Sequence, residues 1–207
     1  MLPNNLDNAQ KLKHFIELGR STSDAANHLL ENLLFWAYNS TGTLKAVHSK
    51  FSVSAVAYEV LQMVQSAAER KSIELEADIS SSRAETGDKQ MIETVLRNLL
   101  LNAIKFSPEG GRVRLHVSSE MWSTKVQVID EGVGIPADKL ALIKAGNSHY
   151  NTPGTNNERG SGIGLMVCQQ LLKMNKSGLD IDSEYGKGTT VSFVLWDSDP
   201  RNQPPTG

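Results

Sequence analysis

The chain has 207 residues, 39% hydrophobic and 21% charged, with a formal net charge of −2 and a pI near 6.2. That length carries one sizeable core, or a core with a helical appendage, and a balance this close to neutral offers no basic excess to neutralise a nucleic-acid backbone. Cys168 is the only cysteine, which excludes an internal disulfide or a cysteine-rich zinc site and points to a reducing, cytoplasmic setting; no apolar run approaches the ~18 residues of a membrane span, and the N-terminus has no signal-peptide pattern.

In chain order, residues 6–44 read as one long helix. Leu12, Phe15, Ala26, Leu29, Leu30, Leu33, Leu34, Trp36 and Ala37 recur at spacings of three and four. The stripe widens towards its C-terminal end, which suits a helix in a bundle, although spacing alone also permits an ordinary core helix. Gly19 weakens its middle and Ser40-Thr41-Gly42 supplies a stop.

Beyond Gly42 the pattern becomes mixed. Phe51-Ser52-Val53 reads as a short strand and residues 54–71 as a helix bearing Val56, Val60, Leu61, Val64 and Ala68. Ile73, Leu75, Ala77 and Ile79 alternate with Glu74, Glu76 and Asp78, the period of a half-buried strand. Residues 80–87 read as a loop. A helix follows over 89–106, with Ile92, Val95, Leu96, Leu99, Leu100 and Ala103 inward. Val113-x-Leu115-x-Val117 and Val126-x-Val128-Ile129 then predict a hairpin, and Pro136 opens a helix through Leu142. Residues 145–160 are rich in Gly, Asn, Ser and Thr, the composition of a functional lid or a disordered loop. A helix over 162–175 and strands at 179–181 and 189–195 complete the pattern, with a mobile tail after Trp196. Paired strands favour an α+β sheet, antiparallel or mixed, with helices on one face.

Three clusters carry the chemistry. Asn98 and Asn102 are four apart on one helical face, with Lys105 a further turn along. Two amide oxygens and an ammonium suit a metal-bound phosphate chain, though taken alone they are better described as the polar side of an amphipathic helix. Asp130-Glu131-Gly132-Val133-Gly134 follows a strand. Its glycines permit close backbone approach to a flat ligand, and its aspartate can accept an exocyclic amine. Gly160-Ser161-Gly162-Ile163-Gly164-Leu165 ends the lid and starts a helix, where backbone N–H groups favour phosphate. It is neither the dinucleotide fingerprint nor a Walker A loop.

In order and spacing, the three together resemble the N, G1 and G2 boxes of the sensor histidine kinase catalytic domain, in the GHKL ATP-binding superfamily. Gly186-Lys187-Gly188-Thr189-Thr190 resembles the family's final glycine-threonine element, and residues 29–37 are similar to the end of its second dimerisation helix. The resemblance covers residues 51–195 and implies a two-layer α/β sandwich, three helices on a mixed sheet, preceded by a long helix. It divides the chain into an incomplete dimerisation segment (1–48), an ATP-binding domain (49–196) and a flexible tail (197–207).

The resemblance also implies roles. Asn102 would hold Mg2+ with Asn98 beside it, Lys105 would meet the phosphates, and Phe106 would lie against adenine. Asp130 would accept the adenine amine. Gly132, Gly134, Gly160, Gly162 and Gly164 would let the backbone close around ATP, with Leu165 and Thr189 in the matching motifs and Arg159 a phosphate contact. The activity implied is transfer of the γ-phosphoryl group of Mg-ATP to a histidine, for relay to the receiver domain of a response regulator, in a parent that is homodimeric. A non-catalytic ATP switch and a GHKL-type ATPase are the alternatives. The ATPase relatives carry a glutamate at the position of Asn98, and an amide cannot act as a general base.

Two departures stand against the family pattern. His14, His28, His48, His116 and His149 all lack the acceptor-histidine context, so the acceptor is expected outside this chain. Asn175-Lys176-Ser177-Gly178 stands where the family often has two consecutive glycines, with little structural consequence expected.

Overall fold

A computed structural model describes residues 11–12, 15, 19, 45–81, 83–120, 122–145, 153–156, 158 and 163–197. The chain divides into two units, Met1–Leu44 and Lys45–Gly207. In the first, Lys11, Leu12, Phe15 and Gly19 are helical and exposed; the rest of the expected helix over 6–44 lies outside the described residues, as do His14, His28, His149 and the tail after Asp197.

The second unit opens with β1 (Ser49–Ser52), which passes directly into α1 (Val53–Arg70). Ser52 Oγ accepts the Ala55 N–H at 3.2 Å and so caps the helix. Val53, expected in a strand with Phe51 and Ser52, instead begins the buried stripe Val53, Val56, Ala57, Val60, Val64, Ala68. Next come β2 (Glu74–Ile79), β3 (Ala84–Gly87), α2 (Lys89–Phe106), β4 (Arg112–Ser119) and β5 (Ser123–Asp130). The chain then forms α3 (Ala137–Lys144), α4 (Gly164–Met174), β6 (Leu179–Glu184) and β7 (Gly188–Trp196).

The main sheet has the order β2-β4-β5-β7-β6. Only β2 and β4 run parallel; the other pairs are antiparallel. The fold is therefore α+β with a mixed sheet, as expected. Its inner face carries Val113, Leu115, Val117, Val126, Val128, Ile181, Phe193 and Leu195, all buried. These pack under α1, α2 and α4, whose own buried stripes include Val60, Leu96, Leu100 and Leu172. On the outer face Glu74, Glu76 and Asp78 stand in register with Arg112, Arg114 and His116. Arg114 Nε reaches Glu76 at 2.7 Å and His116 Nδ1 reaches Asp78 at 2.8 Å. Exposed pairs of this kind add little stability each, but charge along the edge strand discourages further pairing.

Residues 84–87, expected as loop, form β3, which pairs antiparallel with β1 so that Glu85 opposes Phe51. Ala-Glu-Thr-Gly has no apolar alternation to read. Glu85 is wholly buried, and its carboxylate accepts the Thr124 hydroxyl at 2.5 Å. Burial raises its pKa, against that hydrogen bond and the nearby Arg83 charge.

Two joints lock the helices. Asp88 caps α2, its Oδ1 accepting the N–H groups of Gln90 and Met91 at 3.1 Å each. Asn175 Oδ1 accepts the Asp88 N–H at 2.7 Å while its Nδ2 donates to Leu171 O at 2.9 Å, tying the end of α4 to the start of α2. Gly87 is required there, because a Cβ would stand 2.8 Å from Asn175 Oδ1. Lys176 takes a left-handed φ of 55°, a conformation easier for glycine. Cys168 is buried in α4, and burial pushes its thiol up to about 12.

Candidate functional site

The alternation of β5 sets the site. Val126, Val128 and Asp130 share the inner face, so the last position places a carboxyl where a core side chain would otherwise stand. Asp130 is 9% exposed. Its Oδ1 accepts the Gly132 N–H at 2.9 Å and the Thr189 N–H at 3.2 Å, and its Oδ2 takes no hydrogen bond from the described residues. Burial lifts its pKa from 3.8 to about 6, against the pull of those two backbone donors.

The backbone around it leaves no room for side chains. A Cβ on Gly132 would lie 2.5 Å from Phe106 O, and one on Gly134, whose φ is +66°, would lie 2.1 Å from Glu184 O. The Val133 N–H donates to Phe106 O at 3.2 Å and the Gly186 N–H to Val133 O at 2.8 Å. The Asp130–Gly134 turn is thus clamped between the end of α2 and the β6–β7 turn. Ser183, which no sequence signal marked, braces it: its Oγ accepts the Ile135 N–H at 2.9 Å and donates to Gly188 O at 2.9 Å.

The other two clusters meet across helices. Gly164, the first residue of α4, faces α2: a Cβ there would lie 3.5 Å from Asn98 Oδ1 and 3.8 Å from Asn102 Nδ2. Asn98 Nδ2 donates to Thr94 O at 2.9 Å, which turns the amide oxygen away from its own helix. Ile163, the N-cap of α4, makes no side-chain cap hydrogen bond, and the first-turn N–H groups of a helix favour an anionic acceptor. Leu165 lies in this first turn, partly buried. Arg159, Gly160 and Gly162 lie outside the described residues.

Lys105 and Phe106 end α2. The Lys105 ammonium sits 4.6 Å from the Phe106 ring centroid. Burial lowers its pKa, Glu158 opposes that shift and Lys71 adds to it. Neither Lys71 nor Glu158 was legible as a site residue. Lys71 reads as the polar end of a helix, and Glu158 as one polar residue in a long loop.

A metal arriving on substrate phosphates needs only one or two protein oxygens, and the face bearing Asn98 and Asn102 can supply them. Among the described residues no group of three or more His, Cys, Asp or Glu could hold a metal by itself, and no helix is long and apolar enough to cross a membrane. A shallow depression on the outer face, lined by Lys125, Asp180 and Trp196 among others, includes none of these site residues.

Sheet order, helix layer and glycine-clamped strand end define a two-layer α/β sandwich of the ATP-binding type. The family described as histidine kinase-, DNA gyrase B-, and HSP90-like ATPase matches residues 87–199, more than half of the chain, and the chain belongs to that family. Among curated relatives, the adaptive-response sensory kinase SasA of Thermosynechococcus vestitus is 31% identical over 92% of this chain and 49% of its own. The chain spans less than half the length of the curated relatives it matches. Histidine kinase AdeS of Acinetobacter baumannii shares the fold at a TM-score of 0.67 and 19% identity, over 96% of this chain and 88% of that one. Histidine kinase ThkA, solved in complex with response regulator protein TrrA, matches at 0.65 and 17%, over 97% and 54%.

Proposed function

We propose that residues 49–196, within the Lys45–Gly207 unit, bind Mg-ATP as the catalytic domain of a sensor histidine kinase and pass the γ-phosphoryl group to a histidine on a separate segment, for relay to a response-regulator receiver domain. The observation that carries this reading is the packing of the motifs on α2: Gly132 of the strand-end turn is pressed against the Phe106 carbonyl that ends α2, and Gly164 at the start of α4 faces Asn98 and Asn102 of the same helix at van der Waals distance.

In this reading Asp130 Oδ2 accepts the adenine amine while Oδ1 holds the turn, and Phe106 packs against the base. Lys105, the first turn of α4 with Gly160, Gly162 and Gly164, and Arg159 meet the phosphates. Asn102 and Asn98 present amide oxygens to Mg2+, which when bound offsets the charge of the β- and γ-phosphates. The acceptor imidazole nitrogen bonds to the γ-phosphorus as the bond to the bridging oxygen breaks, and ADP leaves. Asn98 offers no carboxylate to draw a proton from water, which supports transfer over hydrolysis.

We also propose that residues 1–48 belong to the dimerisation segment of the parent. His48 and His116 lack the acceptor-histidine sequence context; in the structure His48 Nε2 lies 3.3 Å from Met174 O and His116 Nδ1 is engaged with Asp78. The experiment is transfer of labelled γ-phosphate from Mg-ATP in the presence of a supplied acceptor helix carrying the family's histidine motif. Acid-labile label on that helix and none on this chain is expected. Rapid turnover of free ATP without transfer would instead indicate an ATPase, and label on this chain would place the acceptor among its own histidines.

A further inference from the structure

Lys71 is 4% exposed at the C-terminal end of α1, far in sequence from the glycine motifs. Its Nζ donates to Ile104 O at 3.0 Å, Lys105 O at 2.7 Å and Glu158 Oε1 at 2.7 Å, which uses all three ammonium protons. Two of the acceptors are last-turn carbonyls of α2, where the helix dipole favours a cation. The third belongs to the segment between α3 and α4.

Glu158 in turn organises its neighbours. Its Oε2 accepts the Asn156 N–H at 2.7 Å and its carbonyl accepts the Gly154 N–H at 2.9 Å. The Thr155 N–H donates to Lys105 O at 3.2 Å, and its hydroxyl to Ser107 O at 2.6 Å. Gly154 is thereby pressed on the Lys105 stem: a Cβ there would lie 2.7 Å from Lys105 Cγ and 2.3 Å from Glu158 Oε2. Burial pushes the Glu158 pKa up, but the Lys71 hydrogen bond, backbone N–H groups and the Lys71 charge outweigh it and hold the carboxylate ionised. Removing a charged partner from so buried an ammonium leaves it uncompensated, so the fastening is specific.

We infer that Lys71 and Glu158 are positioning residues for Lys105. Together they press Gly154 onto its stem and aim its ammonium along the Phe106 ring towards the polyphosphate. The inference rests on the nucleotide reading above and deepens it: the pair governs recognition of the phosphate chain, and the adenosine end is independent of it. A charge effect alone has the opposite sign, since deleting a carboxylate near the phosphates favours anion binding.

The test is calorimetric binding of a non-hydrolysable ATP analogue and of adenosine to the full chain, its Glu158→Gln, Lys71→Arg and Lys71→Met variants, and Lys105→Ala with and without Glu158→Gln. Glu158→Gln is expected to weaken the ATP analogue by roughly fivefold or more, within the range of ordinary coupling energies, and to change adenosine affinity less than twofold. Lys71→Arg retains more of the preference than Lys71→Met, and Glu158→Gln adds nothing once Lys105 is alanine. If Lys71→Met fails to fold, the partly exposed Glu158 decides. Unchanged or tighter ATP-analogue binding in Glu158→Gln, or an equal loss for adenosine, overturns the inference while the nucleotide reading stands. An unmodified chain that binds neither ligand overturns the nucleotide reading itself.

Discussion

The Thr189 N–H donates to Asp130 Oδ1 across 59 positions of sequence, and the Gly132 N–H donates to the same oxygen. One oxygen of this carboxylate therefore joins β5, the glycine turn and β7. Gly188, next to Thr189, has φ +118°, and a Cβ there would lie 2.0 Å from Asp130 O. The final glycine-threonine element closes the site from its far side.

Asp130→Asn preserves the Oδ1 acceptor and replaces Oδ2 with a donor. Affinity for an ATP analogue is expected to fall about tenfold or more, the size of a lost charge-assisted hydrogen bond. Thermal stability at neutral pH is expected to hold or rise, because the buried charge is gone. Calorimetry beside a thermal melt checks both; undiminished affinity would remove Asp130 from adenine recognition.

The same group sets a pH dependence. Its folded pKa of about 6 lies above its ordinary 3.8, so between those values the folded chain holds more of this proton than the unfolded one. Stability from this group is greatest at low pH and falls as pH rises from about 4 to 6, by about 3 kcal/mol if the full displacement applies. The stability gap between Asp130→Asn and the unmodified chain should therefore widen over that window and stay constant above it. Urea melts at a series of pH values measure it, and a gap independent of pH contradicts the assignment.

Asn102→Ala removes a half-buried amide that makes no side-chain hydrogen bond among the described residues, so folding should be little disturbed. The expected loss is in the magnesium-dependent part of nucleotide affinity, by roughly 10-fold or more given how outer and inner metal contacts usually behave. Titration with and without Mg2+ separates the two contributions. Equal affinities for variant and unmodified chain in Mg2+ would sink the metal assignment.

Gly134→Ala places a methyl against the Glu184 carbonyl at a positive φ, and a loss of about 2–4 kcal/mol is expected from strain and displaced backbone. Gly178→Ala is the control, since nothing lies within 4 Å of its Cβ position. Chemical denaturation of both variants should show the contrast; equal behaviour would mean that the turn gives way readily.

The helices and hairpin strands of the second unit were legible because their apolar periodicity coincides with burial: the stripes of α1 and α2 and the alternation of β4 follow the sequence pattern directly. The parallel pairing of β2 with β4 carries no local signal. β3 was missed because its buried side chain is Glu85, whose place is set by Thr124 on another strand. At the site, glycines and short polar motifs were readable as motifs. Ser183, Lys71 and Asn175 were not, since each acts through partners 5 to 87 positions away and looks like an ordinary polar residue where it stands.

Cys168, sealed against the Val95 carbonyl with its thiol pushed up to about 12, stays protonated and shielded at neutral pH, and protonated thiols are poor nucleophiles. The native fold thus comes with a silent background for thiol chemistry. A cysteine engineered at any exposed position can carry a fluorophore or spin label without first replacing the natural one, and slow labelling of Cys168 itself becomes a clock for opening of the α2–α4 interface.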